Sequence, residues 1–257
     1  MLVLLATLAA AADPAPAIVT TARGTVTLVE AGARKPAPAP PFLLGPGQSL
    51  DLAAGALVVV LRQGGAWEVT GPKIVDAASL RPPEVTADAS ALGDLLARRT
   101  SAGTAGASRA GGIAVVRPVP GKPTTALSEV RWRCDRCGEQ AIELVDLRMD
   151  ETVWTGKGTE RVAYAGTPLH AGSYAVKVGG HEFAFTVTRP EDGARVKDAL
   201  TQASVEKLDP NARAAATAAL YLQAGLYTDA LTALDGATDP ELVAMRVEIE
   251  GRAGLVK

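Results

Sequence analysis

The sequence predicts a mainly β protein that ends in a C-terminal α-helical block. Before residue 190, short β-branched runs are separated by turns that contain Gly and Pro, which is typical of strands in small β units. After residue 190, alanine-rich segments break at Asp209-Pro210, and Asp239-Pro240 has the pattern of an N-cap followed by a first-turn proline. The 257 residues are 47% hydrophobic but only 4% aromatic, which favours close helix packing and thin sandwiches over one large core.

The charge balance argues against nucleic acid as a partner. The chain carries 26 Lys and Arg residues against 28 Asp and Glu residues, for a net charge of −2, and it has no long basic run. Because phosphate backbones are bound by clustered positive charge, we expect no nucleic-acid partner.

Residues 1–17 are predicted to be a signal peptide. The apolar run from Leu2 to Ala12 is too short to cross a hydrocarbon core of about 30 Å, and small residues in A-x-A form follow at Ala10–Ala12 or Ala15–Ala17. No Lys or Arg precedes the run, which departs from the usual signal peptide. We expect a periplasmic or otherwise exported protein whose mature chain has no membrane span.

Residues 18–80 are predicted to form a small all-β unit. Val26 and Leu28 alternate as in a half-buried strand, and turns recur at Gly45-Pro46-Gly47, Gly55, Gly64-Gly65 and Gly71-Pro72. The proline-rich stretch 35–41 cannot join a central ladder, because proline lacks the backbone N–H, and it is therefore interpreted as a loop or edge excursion.

This segment resembles the FecR-like domain of bacterial envelope proteins. The resemblance rests on RGTVTL, on the meander LLGPGQSLDLAAGALVVVLRQGG and on WEVTGPKIV. It implies a β-roll in which the glycines form turns and do not bind a ligand.

Residues 81–125 are predicted to be a linker with a short helix over 91–99, where Leu92, Leu95 and Leu96 share one face. The following stretch TSAGTAGASRAGG is small and polar. It cannot bury enough apolar area to order itself, which favours a flexible connection.

Residues 126–189 are predicted to form a second β unit. The clearest part is a hairpin with alternating apolar residues on each strand and a turn of positive φ at Gly179-Gly180. Trp132, Trp154 and Tyr164 are the expected core aromatics. The segment resembles the Ig-like or fibronectin-like sandwiches that follow FecR-like domains, and this implies a β-sandwich. The hairpin residues that alternate are Tyr174, Val176, Val178, Phe183, Phe185 and Val187.

Residues 190–257 resemble a tetratricopeptide (TPR) repeat, which implies a block of helical hairpins. Tyr221, Gly225, Tyr227, Ala230 and Ala237 fall at the spacing of that repeat. The chain departs from the repeat early in its first helix, where Ala214 replaces an aromatic residue and Thr217-Ala218 replaces Leu-Gly. About one and a half repeats do not bury a continuous core, so the block is expected either to dock on the sandwich or to be capped by a partner.

The cysteines Cys134 and Cys137 leave three interpretations open. A redox pair needs a helix N-terminus to lower a thiol pKa, yet the residues that follow alternate like a strand. A zinc site would need His170 and His181, whose spacing fits no common finger. We predict a disulfide in the turn between the first two strands of the sandwich, as expected for a cysteine pair in an oxidising compartment.

The sequence therefore predicts a non-catalytic envelope protein that acts as a protein-interaction or scaffolding module. We assign no catalytic residue, no metal ligand and no cofactor. The expected partner is a protein or peptide that binds the face of the helical repeat or an edge of the sandwich. Two alternatives remain: a periplasmic signal-transducing component of the FecR type, and a metal- or thiol-dependent protein that uses Cys134 and Cys137.

Overall fold

The fold was analysed in a computed structural model that describes residues 17–62, 65–80, 112–135 and 137–255. The described residues are mainly strands, followed by helices after residue 190, which confirms the predicted fold class. Most of the predicted signal peptide and the predicted helix over 91–99 lie outside the described residues. Ala17, the last residue of the predicted signal peptide, is fully buried and begins the first strand.

The first β unit consists of two four-stranded antiparallel sheets that enclose one core. Sheet A has the order β4-β1-β6-β7, and sheet B has the order β3-β2-β5-β8. A Cβ on Gly71, in the predicted Gly71-Pro72 turn, would collide with the carbonyl oxygens of Leu52 and Ala53, so this turn requires glycine. The strands are β1 (Ala17–Arg23), β2 (Val26–Glu30), β3 (Ala33–Pro36), β4 (Phe42–Leu44), β5 (Gln48–Leu52), β6 (Leu57–Arg62), β7 (Gly65–Thr70) and β8 (Lys73–Asp76).

Strand β6 shows how sheet A serves two cores. Val58 and Val60 join the core between the two sheets. Val59 and Leu61 are also buried, but successive strand residues point to opposite faces, so they lie on the outer face of sheet A. The outer face of sheet A is therefore apolar, and it is available to the helices.

The second β unit packs a five-stranded sheet, β10-β16-β15-β12-β13, against a three-stranded sheet, β14-β11-β9. Strand β10 runs parallel to β16, and the other pairs are antiparallel. Trp132 is buried in the core between the sheets. The strands are β9 (Ile113–Arg117), β10 (Pro123–Thr124), β11 (Glu129–Cys134), β12 (Gln140–Asp146), β13 (Glu151–Gly158), β14 (Arg161–Ala163), β15 (Gly172–Val178) and β16 (His181–Val187).

The predicted hairpin of this unit is present as β15 and β16. Tyr174 lies opposite Phe185 and Val176 lies opposite Phe183, and all four side chains are buried. Both turn glycines have positive φ, 56° at Gly179 and 82° at Gly180.

The end of the segment predicted as a linker, residues 81–125, differs from the expectation. Strand β9 pairs with β11, and Ile113 and Val115 belong to the core of the second β unit. Its alternating apolar residues give β9 a buried face. The glycines and prolines that flank β9 had favoured a linker, but they lie at its ends, where they do not interrupt the ladder.

The helical block comprises α1 (Pro190–Gln202), a 3₁₀ turn (Val205–Lys207), α2 (Pro210–Gln223), α3 (Tyr227–Ala233) and α4 (Pro240–Arg252). No helix in the described part of the chain is long and apolar enough to cross a membrane. Helix α2 is buried on several sides, as expected for a helix that is apolar around most of its surface. Its buried residues are Ala212, Ala215, Ala216, Ala218, Ala219, Leu220, Leu222 and Gln223.

The core of the helical block continues into both β units. Ile18 and Leu61, from the outer face of sheet A, belong to this core, and so do Val116 and Val119 from the second unit. Helix α2 packs directly against β1. Of the two arrangements expected for a short repeat, the structure has the block docked, and it docks on both β units.

A buried arginine ties the helical block to the second β unit. The Arg117 side chain is only 2% exposed, and its guanidinium donates to both carboxylate oxygens of Asp235, at 2.8 Å for the Nη2–Oδ1 pair. It also donates to the carbonyl oxygen of Leu231 at 2.7 Å and to Glu129 at 3.1 Å. The guanidinium is therefore paired with two carboxylates at the junction.

Asp229 of α3 forms a second polar tie to the same unit. Its carboxylate accepts hydrogen bonds from the Thr124 hydroxyl at 2.9 Å and from the backbone N–H of Thr125 at 3.1 Å, and it also accepts from the Thr125 hydroxyl. Burial raises the pKa of Asp229, and the hydrogen bonds from Thr125 and Thr124 offset only part of that rise. The fold is therefore less stable when Asp229 is ionised than when it is protonated.

As pH rises above 3.8, the free energy of unfolding of the Asp229→Asn variant is expected to increase relative to that of the wild type. The folded-state pKa of Asp229 lies above its ordinary value of 3.8, so the contribution of this group to stability is full at lower pH and is lost as pH rises through the folded pKa. Asparagine can accept from Thr125 and donate to Thr124, and it does not ionise. Urea unfolding of both proteins between about pH 3 and pH 7 measures the difference.

Asp235→Asn is the control, and its effect on stability should depend on pH in the opposite direction. Burial raises the pKa of Asp235, but the hydrogen bond and charge of Arg117, together with Arg131, outweigh burial and hold the pKa below its usual value. This group stabilises the fold above its unfolded-state pKa, and that contribution is lost as pH falls. The deficit of Asp235→Asn should therefore grow with rising pH. If the stability of both variants, relative to the wild type, changed with pH in the same direction, the opposite pKa shifts assigned to Asp229 and Asp235 would be contradicted.

Candidate functional site

The cysteine pair lies in the second β unit, where the sequence placed it. Cys134 ends β11, Cys137 lies in the connection to β12, and their Cα atoms are 5.6 Å apart with the sulfurs at disulfide distance. Both side chains pack against the core that contains Trp132. The residues after the pair form strand β12.

Replacing both cysteines, Cys134→Ser with Cys137→Ser, is expected to lower the free energy of unfolding by about 2 kcal/mol, since the closed loop is short. Urea unfolding of the oxidised wild type and the double variant measures the loss. Reductant should lower the free energy of unfolding of the wild type to that of the double variant and should leave the value for the variant unchanged. A wild type that is insensitive to reductant would show that the disulfide is not formed or does not stabilise the fold.

The two histidines lie in, or just before, strands of the five-stranded sheet of this unit. His170 is exposed ahead of β15, and His181 opens β16 after the Gly179-Gly180 turn. Within the described ranges, no group of three or more His, Cys, Asp and Glu residues is placed to hold a metal ion.

A cleft of about 640 Å³ lies between sheet A and the helical block, a volume usual for binding sites. Its floor is the outer face of sheet A near the end of β1. There Arg23 lies opposite Leu57, and Thr21 lies opposite Val59, which pairs on its other side with Glu68 of β7. The floor thus combines apolar side chains with two charged groups.

Two walls rise from this floor. One wall is made by helices α2 and α4, where Leu242 and Met245 are buried and Val247 is 53% exposed. The other wall is formed by residues 37–40 of the connection between β3 and β4, which include Pro38 and Pro40. The proline-rich stretch of the sequence therefore contributes to a cavity. Its pyrrolidine rings make this wall stiff, because they fix the backbone φ angle.

Helices α2 and α4 begin side by side at the cleft. The Asp209 side chain accepts from the backbone N–H groups of Asn211 and Ala212 at 3.0 and 3.1 Å, and Asp239 accepts from the N–H of Glu241 at 2.9 Å. The Asn211 side chain donates to Asp239 at 3.1 Å and so joins the two helix starts. Asp209 and Asp239 thus act as N-caps that face the same cavity.

Arg23 links the floor to the helical wall. Its Nε donates to Glu241 at 2.8 Å, and its Nη2 lies 3.5 Å from Asp239. The hydrogen bond and the negative charge of Glu241 raise the pKa of Arg23 further above its usual value, so it stays charged. These pairs are partly exposed and add little stability, but they fix the position of the α4 N-terminus above sheet A.

A smaller cavity of about 410 Å³ lies on the other side of the contact between β1 and α2. It is lined by Ile18, Phe42, Leu222 and Tyr227, and Arg252 at its edge donates to the carbonyl oxygen of Pro41 at 3.2 Å. It lacks the excess of charge that distinguishes the larger cleft.

Comparisons with protein-family models, with curated proteins and with solved structures find no match for this chain.

Sequence reasoning did not identify the residues of the cleft. Sheet A brings Arg23 and Glu68 to one face, and Val247 joins them only when the helical block docks on that sheet. Asp239-Pro240 was visible as a helix start and Asp209-Pro210 as a break between helical segments, but nothing in their spacing indicates that both face one sheet.

Proposed function

We propose that this protein is a non-catalytic exported protein of the cell envelope that binds a polypeptide partner in the cleft between sheet A and the helical block. The observation that carries the proposal is the cleft itself, which is open, has largely apolar walls and leaves Val247 exposed. Exposed apolar groups inside a concave surface are typical of sites that bind protein or peptide partners.

We place the binding surface at the edge of the helical block rather than on a concave repeat face. Most of α2 is buried against its neighbouring helices and β1, so little of it can contact a partner. Helix α4 and the α2 N-terminus still reach the cleft. The resemblances support a FecR-like β-roll, an Ig-like sandwich and TPR-like hairpins as the three parts of the chain, and they carry the proposal of an envelope protein.

Export is proposed to involve cleavage after Ala12. Ala17 is buried and pairs with Leu44, so cleavage after Ala17 would remove one end of β1. Cleavage after Ala12 leaves the strand whole. A disulfide between Cys134 and Cys137 is compatible with an oxidising compartment. Mass spectrometry of the protein recovered from the periplasm would identify the cut.

Site-specific photo-crosslinking in the native cells tests the binding role. One variant carries a photo-crosslinking residue in place of Val247, inside the cleft. The matched control carries it in place of Ile74, which is 61% exposed on β8 and lies outside the cleft. Light should join a distinct polypeptide to the Val247 variant in the periplasmic fraction and leave the Ile74 variant free.

Two results would overturn this proposal. One is the absence of any polypeptide adduct at Val247, and the other is the same adducts in the same yield at both positions. Recovery of the protein from the cytoplasm with residues 1–12 intact would separately contradict export.

A further inference from the structure

We propose that the partner segment bound in the cleft is basic, an extended stretch of polypeptide in which Lys or Arg residues alternate with small apolar residues. This inference rests on the proposed binding role of the cleft and adds the chemistry of the partner. It derives from the unequal numbers of acidic and basic groups that line the cavity.

Negative charge exceeds positive charge in the cleft. Among the described residues, five carboxylates line it against one guanidinium, that of Arg23, an excess of four negative charges. The whole chain has a net charge of only −2, so the excess is local and does not simply reflect the composition. The lining carboxylates are Glu68, Asp209, Asp239, Glu241 and Glu248.

The two helix N-termini reduce this excess but do not cancel it. Each helix start carries about half a positive charge, so α2 and α4 together offset about one of the four. Asp209 and Asp239, the two N-caps, are closest to these helix ends. The charge that remains belongs mainly to Glu68, on the floor, and Glu248, on the helical wall.

These two glutamates are accessible to a partner. Glu68 is exposed on β7, and its side chain has no ion pair or hydrogen bond among the described residues. Glu248 pairs with Arg252, one helical turn away, through exposed side chains, and such pairs contribute little energy. A cation of the partner can therefore approach either carboxylate without breaking a buried interaction.

Because part of the cleft is apolar, we expect its occupant to carry apolar groups as well as positive charge. Val247, Leu57 and Pro38 lie between or beside the acidic groups, so the methylene stems of Lys or Arg can pack on them while the charged heads reach the carboxylates. Small apolar residues between the cations fit walls made of alanine and proline side chains. An acidic segment would meet like charge along the whole cavity.

Fluorescence polarisation with three peptides tests the inference on the purified full chain. In each peptide, Ala or Val occupies every second position. The positions between them are all Lys in the first peptide, all Gln in the second and all Glu in the third. We expect the Lys peptide to bind with a Kd about tenfold lower than that of the Gln peptide, and the Glu peptide to bind weakest. Raising the salt concentration from about 50 mM to about 500 mM should remove most of the difference.

Charge-neutralising variants assign the effect to the cleft. Glu68→Gln combined with Glu248→Gln should raise the Kd of the Lys peptide about tenfold and leave the Kd of the Gln peptide unchanged. The matched control is Glu143→Gln, an exposed glutamate on β12 in the other β unit, which should change neither Kd. Circular dichroism of each variant verifies that the fold is retained.

Equal Kd values for the Lys and Gln peptides, or no binding of the Lys peptide at about 1 mM, would overturn this inference. So would an equal effect of the control substitution. The crosslinking at Val247 does not depend on the charge of the partner, so adducts there together with equal Kd values would leave the binding role standing. Selective Lys-peptide binding without adducts in cells would instead contradict the binding role and keep the charge preference.

Discussion

Replacing Trp132 by alanine is expected to lower the free energy of unfolding by about 3 to 5 kcal/mol, the range measured for large-to-small changes in protein cores. The Trp132 side chain is only 1% exposed and lies on β11, at the centre of the core between the two sheets of the second β unit. No smaller side chain at this position can fill the space between those sheets. Urea unfolding monitored by circular dichroism measures the loss.

Trp132→Phe separates the role of volume from that of hydrogen bonding. The indole N–H of Trp132 has no acceptor among the described residues, so phenylalanine removes no hydrogen bond and is expected to cost about 1 to 2 kcal/mol. Trp154→Ala is the matched control, because Trp154 is half-buried and packs against Tyr164 with ring centroids 5.3 Å apart. A loss at Trp132 no larger than the loss at Trp154 would contradict the central position of Trp132.

Asp235→Ala is expected to cost about 3 kcal/mol, because it leaves the buried guanidinium of Arg117 without its main partner. Glu129 remains within 3.1 Å of Arg117 but is shared with Arg131, which lies 2.9 Å from the same oxygen, so it compensates only in part. The measurement is again urea unfolding, at neutral pH, where Asp235 is ionised.

A double-mutant cycle with Arg117→Met tests this mechanism. When the buried charge is also removed, the double variant should be more stable than Asp235→Ala alone, because methionine can occupy the site without a partner. Glu129 then keeps its pair with Arg131. If the losses of the two single variants simply added, the cost of Asp235→Ala would not come from an unpaired Arg117.

The sequence indicated the local elements well, because their signals are local. Alternation at Tyr174 and Val176, with two glycines after the strand, predicts the β15–β16 hairpin, and Asp239 before a proline predicts the start of α4. Strand β9 was missed because prolines and glycines outweighed its short alternation. A run of five residues carries little periodic information when its neighbours are typical of loops.

The docking of the three parts could not be predicted in the same way. Arg117 and Asp235 are 118 residues apart, and no periodicity links one to the other. The alanines of α2 suit close contact with a helix or with a strand, so the pattern did not indicate that β1 is a neighbour. The cleft follows from this docking, and it was therefore invisible from the sequence for the same reason.

The helices follow both β units along the chain, and this order has a consequence during synthesis. Ile18 and Leu61 leave the ribosome early, yet the helices that cover them begin only at Pro190. Until then the outer face of sheet A is an exposed apolar surface, which promotes non-specific association. A protein shortened before Pro190 keeps that surface uncovered permanently, and its Arg117 loses Asp235. Deleting the helices therefore leaves an exposed apolar surface. Proteins that bind such a shortened chain would bind this surface and would not identify partners of the native protein.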